Sequence, residues 1–174
     1  LAQDPGALGY NSVLTAALRR LGDVIDMAGS PADALPYLER AVRAATPMLD
    51  GPTGPSMRGI LAMAHARLAR IHAAAGDAGQ ATTNASAAMA LLETPGTGSP
   101  VLLAGGHALL GDAFATLAQR AAEADERSAH RALAGVQYER AATLWRDAPL
   151  VPALEPKRAA ELARITSRFN DLTI

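Results

Sequence analysis

Apolar and small residues recur at three- and four-residue intervals on both sides of a Gly-Ser-Pro turn at residues 29–31. Those before the turn are Leu18, Leu21, Gly22 and Ile25, and those after it are Ala34, Leu38 and Ala41. Such spacing gathers the residues on one face of a helix, so the pattern predicts a helical hairpin. Gly22 and Ala34 are small enough for the two helix axes to approach closely at that level.

The same arrangement returns twice further along the chain. The small residues that mark each crossing are Gly22 and Ala34, Ala69 and Ala81, and Gly111 and Ala134. They are twelve residues apart in the first two pairs and twenty-three in the third. Because the added segment contains no proline or glycine, we expect both helices of the third hairpin to be longer. The three repeats are expected at about residues 12–47, 56–94 and 100–148.

Serine and aspartate stand where helices are expected to begin. Ser30 and Ser99 each precede a proline, which suits an N-cap followed by a proline in the first helical turn. Asp77 is followed three residues later by Gln80, which is the spacing of a capping box. A helix is therefore predicted to start directly after each of these three caps.

Glycine and proline mark the segments between the hairpins. Residues 1–10 contain one proline and two glycines, which predicts a flexible lead-in and a first helix starting near Asn11 or Ser12. Two further segments rich in these residues, 50–56 and 94–100, are predicted to be loops that separate the hairpins.

The last helix is expected at about residues 156–169. Its apolar residues form one stripe made of Ala159, Leu162, Ile165 and Phe169. An amphipathic helix at the end of an array covers the exposed edge of the hairpin before it. We expect the only tryptophan, Trp145, to pack against this capping helix; the alternative is that it contacts a ligand.

The hairpins resemble tetratricopeptide repeats, whose pattern is W-x2-L-G-x2-Y…A-x3-F…P. Leu18, Ile25 and Leu38 stand where that pattern has aromatic residues. The resemblance implies an all-α protein, a right-handed α-solenoid of three helical hairpins plus a C-terminal capping helix.

In tetratricopeptide repeats, the first helices of successive hairpins line a concave groove that binds peptides. On this resemblance, the groove would present Arg19, Asp23, Met27, Met63, Ala66, Arg70, Ala108, Asp112 and Thr116. The lysine and asparagine residues with which the family clamps a C-terminal carboxylate are absent from these positions. We therefore expect an extended segment of mixed charge, bound in the groove or on the long third hairpin.

Composition narrows the classes of partner and compartment. The 174 residues are 49% apolar but only 3% aromatic, and the net charge is -1. Because nucleic-acid binding needs a basic surface, DNA and RNA are not expected partners. Charged residues or glycines interrupt every apolar run, so no membrane insertion is expected. A cytoplasmic location is favoured over an extracytoplasmic domain of an anchored protein, and the start at Leu1 suggests a piece of a longer chain.

No set of residues suggests catalysis, so the chain is expected not to be an enzyme and to need no cofactor or metal. It has no cysteine, and its carboxylates are scattered along the predicted helices. His65 and His72 are seven residues apart, which does not match a metal-binding pair. We expect His65, His72 and His107 to be planar packing residues that hydrogen-bond through one ring nitrogen.

Two alternatives to a simple interaction module remain open. The sequences ALRRLGDV, residues 34–41 and QYERAATLWRDA resemble repeats found behind Ser/Thr kinase domains in bacteria. That resemblance implies a regulatory or sensor domain in a signalling protein, although no kinase motif is present in this chain. The alanine-rich faces could instead pair with a second copy and form a homodimer.

Overall fold

The computed structural model describes residues 5–51, 53–149 and 152–172, with side chains from Tyr10 onward. Within these ranges there are seven α-helices, two short 3-10 turns and no strand, so the all-α class is confirmed. The helices are α1 (Pro5–Met27), α2 (Pro31–Ala45), α3 (Gly54–Ala75), α4 (Ala78–Leu92), α5 (Pro100–Arg120), α6 (Ala124–Asp147) and α7 (Glu155–Asp171). The 3-10 turns are Thr46–Met48 and Pro152–Leu154.

The first six helices form three hairpins that pack on one another in sequence order. The two helices of each hairpin contact each other extensively: α1 packs on α2, α3 on α4 and α5 on α6. Between hairpins, α3 packs mainly on α2, whereas α5 packs mainly on α3 and less on α4. The last helix, α7, packs on α6, as predicted for the capping helix.

The second helices of the three hairpins bury the same four positions. Counted from the small residue at each crossing, these positions are 0, 4, 7 and 11. They are occupied by Ala34, Leu38, Ala41 and Ala45 in α2, by Ala81, Ala85, Ala88 and Leu92 in α4, and by Ala134, Tyr138, Ala141 and Trp145 in α6. The shared register means that each second helix turns the same face towards its partner.

At the helix crossings, the size of the first-helix residue is matched to the size of the second-helix residue that it faces. A Cβ added to Gly22 would lie 2.7 Å from side-chain carbons of Leu38. The second hairpin has alanine at both equivalent positions, Ala69 and Ala85. A first-helix residue at this level can therefore carry a Cβ only where the facing residue of the second helix is small.

Two helices begin earlier than the sequence suggests. The first starts at Pro5 rather than near Asn11 or Ser12, because proline is well tolerated in a first helical turn. The predicted lead-in is thus wrong for residues 5–10, while residues 1–4 lie outside the described part. The segment predicted as a loop at 50–56 is also helical from Gly54 onward, since Pro55 again falls in the first turn.

The predicted caps are confirmed at two of three helix starts. The side chain of Asp77 accepts a hydrogen bond from the Gln80 backbone N–H at 3.0 Å. The hydroxyl of Ser99 accepts one from the Leu102 N–H at 3.3 Å. Ser30 makes no such side-chain bond; its own N–H closes the end of α1 by donating to Ile25, beyond Gly29 at φ +91°.

The third hairpin is lengthened unequally. With 21 residues, α5 is no longer than α3, which has 22, so the prediction that both helices are longer is wrong. The second helix α6 has 24 residues against 15 in α4. Most of the added length therefore precedes Ala134 in α6.

Helix α5 is also the one described helix that is long and apolar enough to cross a membrane. Its polar residues His107 and Asp112 do not disqualify it, contrary to the sequence-based expectation. More than half of its most apolar window is buried inside the structure, as in a core helix.

Candidate functional site

Two of the cavities in the described structure are lined by the first helices of at least two hairpins. The larger, called the main cavity below, has a volume of about 420 Å³ and is lined by residues of α1, α3, α5, α6 and α7. The smaller, called the side cavity, has a volume of about 150 Å³ and is lined by residues of α3, α5, α6 and α7. The capping helix thus contributes to both.

The walls of the main cavity combine apolar and charged side chains. The apolar part is formed by Met27, Met63, Val101, Leu102, Leu109 and Trp145, with Gly105 and Ala108 between them. The charged part is formed by Arg19, Arg67, Lys157, Glu161 and Arg164. A cavity of this kind suits an amphipathic occupant more than a purely ionic one.

An ion-pair network between α1 and α3 engages two of these arginines. Arg67 reaches two carboxylates of α1, with its Nε 2.8 Å from Asp23 Oδ1 and its Nη1 2.5 Å from Asp26 Oδ2. Arg19 also pairs with Asp23, and Arg70 with Asp26. Burial raises the pKa of Asp23 above its usual value, although the Arg67 and Arg19 guanidinium groups act in the opposite direction.

Asp112 connects three helices at the side cavity. It accepts a hydrogen bond from the Tyr138 hydroxyl at 2.8 Å and pairs with Arg164 of α7 at 2.9 Å. Burial and the Asp112 carboxylate together raise the pKa of Tyr138. Burial lowers the pKa of Arg164, but the carboxylates of Asp112 and Glu161 outweigh it and leave that pKa raised.

The structure divides the sequence-predicted groove residues between the two cavities. Arg19, Met27 and Met63, with Ala108, line the main cavity, whereas Arg70, Asp112 and Thr116 line the side cavity. Asp23 is held between Arg19 and Arg67. Ala66 is fully buried. The predicted residues therefore do not form one continuous set.

Sequence reasoning missed the contribution of α7 to the main cavity and gave Trp145 of α6 only as an alternative ligand contact. Trp145, Lys157, Glu161 and Arg164 all line it, although none lies on a first helix. The signals in the sequence were the aromatic side chain of Trp145 and the amphipathic pattern of α7, which predicted a capping helix but not that its polar side faces a cavity.

Two of these side chains have donors without partners in the described part of the chain. Lys157 makes no ion pair there, unlike the arginines around it. The indole Nε1 of Trp145 is buried and has no hydrogen-bond partner. Buried donors are normally satisfied, so Trp145 has unused hydrogen-bonding capacity at the cavity.

Histidine side chains make equivalent contacts in the second and third hairpins, as predicted for His65 and His107. His65 Nδ1 lies 2.8 Å from Asn84 Oδ1, and His107 Nδ1 lies 2.7 Å from Gln137 Oε1. The Asn84 amide nitrogen donates to the Gln80 carbonyl, so its oxygen must accept and His65 Nδ1 must carry the hydrogen. Burial lowers the pKa of both imidazoles.

His72 has a different environment from the other two. Its Nδ1 is 3.9 Å from a carboxylate oxygen of Asp77, the residue that caps α4.

Among the described residues, no three or more His, Asp or Glu side chains come together in a way that could hold a metal ion.

Comparison with known proteins gives no family for the chain. No protein-family model, curated protein or solved structure matches it.

Proposed function

We propose that the chain is a tetratricopeptide-like, right-handed solenoid that binds another protein without catalysing a reaction. Its ligand is an extended peptide segment, which it takes up in the main cavity. The observation that carries this proposal is the 420 Å³ cavity between the first helices and α7, with apolar walls and an unpaired lysine. Solenoids commonly use such surfaces to bind extended partners.

The charges around the cavity define the chemistry of the segment. Arg67 and Arg164 already pair with carboxylates of the chain, so little of their charge is left for a ligand. Lys157 is the cation that remains available among the described residues of the wall. The fitting segment therefore carries an aliphatic or aromatic side chain for the apolar wall and a nearby carboxylate for Lys157.

Selection of short random peptides on the immobilised protein tests this proposal. The enriched sequences should combine an apolar residue with a neighbouring Asp or Glu. Because Trp145 is the only tryptophan and lines the cavity, its fluorescence should change when such a peptide is titrated in.

Two variants locate the binding. Gly105→Leu places a large side chain in the cavity, and its Cβ would make an ordinary contact with Met63 at 3.6 Å. Lys157→Glu reverses the charge. Each should weaken binding about tenfold or more, whereas exposed controls on α6, Ala132→Leu and Arg131→Glu, should not. Equal binding by Gly105→Leu and the parent protein would contradict the proposed site.

A further inference from the structure

An exposed apolar stripe runs along the outer side of α1. Most of the large hydrophobic side chains exposed in the described structure belong to this one helix: Tyr10, Val13, Leu21, Val24 and Met27. Ala17, which is also exposed, lies between Val13 and Leu21. With Ala17 included, these residues recur at three- and four-residue steps. A helix face of this kind is normally covered by another helix.

The equivalent stripes of α3 and α5 are covered by the preceding hairpin. Counted from Gly22 and Ala69, Leu21 and Val24 correspond to Leu68 and Ile71 of α3. Leu68 and Ile71 are each 3% exposed and pack with Ala34 and Leu38 of α2, whereas Leu21 and Val24 are 44% and 64% exposed.

In the third hairpin, too, the equivalent positions of the first helix are buried. Counted from Gly111, the residues in the same register are Leu110 and Ala113. Both are fully buried in the core shared by the second and third hairpins. The stripe on α1 is therefore the stacking face of a hairpin that has no predecessor in the described structure.

One charged residue of α1, Arg20, also has a counterpart at the equivalent position of α3. Arg20 corresponds to Arg67, which bridges Asp23 and Asp26 of α1, the first helix of the preceding hairpin. Arg20 is exposed and pairs with no carboxylate in the described residues. By analogy with the junction between the first and second hairpins, a partner of α1 is expected to carry two carboxylates, three residues apart, opposite Arg20.

We propose that this face of α1 receives a further helical hairpin of the same repeat type, whose first helix carries such a pair of carboxylates. A second copy of this chain is a poor occupant, because its own Asp23 is engaged by Arg67 and its own Asp26 by Arg67 and Arg70. Its other end is covered by α7. The occupant is a preceding repeat, which extends the array rather than doubling it.

The test adds such a repeat to the full chain. Residues 10–56 are duplicated in tandem, so that Tyr10 of the second copy follows Ser56 of the first, as Met57 does in the parent protein. The junction keeps Gly54, because a Cβ there would lie 2.2 Å from the Leu49 carbonyl oxygen. The added Asp23 and Asp26 then stand opposite the original Arg20.

Hydrogen exchange and thermal unfolding provide the measurements. In the extended chain, amide exchange in the original α1 should slow by about tenfold or more, and the melting temperature should rise. Arg20→Glu in the original α1 should reverse much of this gain, but should change the parent protein little. Arg40→Glu, at an exposed position of α2, is the matched control and should leave the gain intact.

Two results would overturn the proposal. In the first, α1 of the extended chain exchanges as fast as in the parent protein. In the second, sedimentation shows that the parent protein is a dimer, and Leu21→Glu dissociates this dimer. The control variant Val136→Glu, at another exposed apolar position, leaves the dimer intact. That outcome would assign the stripe to a second copy.

Discussion

Gly111 lies directly against the ring of Tyr138, so that a Cβ added to the glycine would be 2.5 Å from ring carbons Cδ1 and Cε1. Tyr138 is fully buried, and its hydroxyl is held by Asp112. Since neither partner can move away easily, the approach of α5 to α6 depends on the missing side chain at residue 111.

Gly111→Ala should therefore destabilise the protein, although alanine favours a helix more than glycine does. Overpacking costs roughly 1 to 3 kcal/mol and the gain in helix propensity is about 1 kcal/mol, so the net loss should be up to about 2 kcal/mol. Urea unfolding measures it. Gly105→Ala, where a Cβ meets only an ordinary contact with Met63, should be neutral or stabilising.

A double-mutant cycle shows whether Tyr138 is the cause. In a Tyr138→Ala background, Gly111→Ala should cost little or nothing, because the second hairpin has alanine at both equivalent positions, Ala69 and Ala85. An equal cost in both backgrounds would mean that the ring is not what excludes the side chain.

These crossings were accessible from the sequence because their small residues repeat at fixed spacing. Gly22 and Ala34 define the register, and Ala69 and Ala81 reproduce it at the same distance. The division of the added length between α5 and α6 was not accessible, because no residue in the third hairpin marks the turn. The helix start at Pro5 was not accessible for a related reason: proline both breaks helices and begins them.

The ion-pair network was hidden for a different reason. Arg67 and Asp26 are 41 residues apart in sequence, and their contact depends on how α3 is placed against α1. That placement differs between the two hairpin junctions. The groove predicted from first helices alone therefore named Arg70 and Asp23 as ligand contacts, although both are already paired within the chain.

Asp26→Asn should be strongly destabilising. The side chain of Asp26 is only 3% exposed and faces two arginines. In Asp26→Asn these arginines would stay close together with only Asp23, which is already shared with Arg19, as a counter-charge. Breaking a largely buried ion pair from one side costs roughly 3 kcal/mol, whereas exposed pairs contribute well under 1 kcal/mol. Guanidinium unfolding should show this loss for Asp26→Asn and almost none for Glu39→Gln, which removes the exposed pair with Arg43. Equal effects would show that burial does not strengthen the network.

The fold should lose stability as the pH falls below about 6.5. Burial lowers the pKa of His65 and His107 in the folded state, so the unfolded chain binds protons first as the pH decreases. Above that pH, both states are neutral at these residues and no dependence is expected from them. Melting temperatures measured from pH 8 to pH 5 should fall in the acidic half of the range.

The double variant His65→Gln and His107→Gln is the control for this pH dependence. Glutamine does not titrate, so the slope below pH 6.5 should become shallower even if the variant is less stable throughout. A parent protein whose melting temperature is constant from pH 8 to pH 5 would contradict the prediction.

Trp145→Ala should separate the stability of the capped end from binding in the main cavity. Trp145 is almost fully buried in the same core cluster as Ile165 of α7, and removing such a side chain costs roughly 3 to 5 kcal/mol. Far-UV circular dichroism in urea measures this loss without needing the tryptophan signal. Phe169→Ala, at a partly exposed position of α7, should cost much less. If Trp145→Ala kept the parent stability but lost peptide binding, the indole would be a ligand contact rather than a core residue.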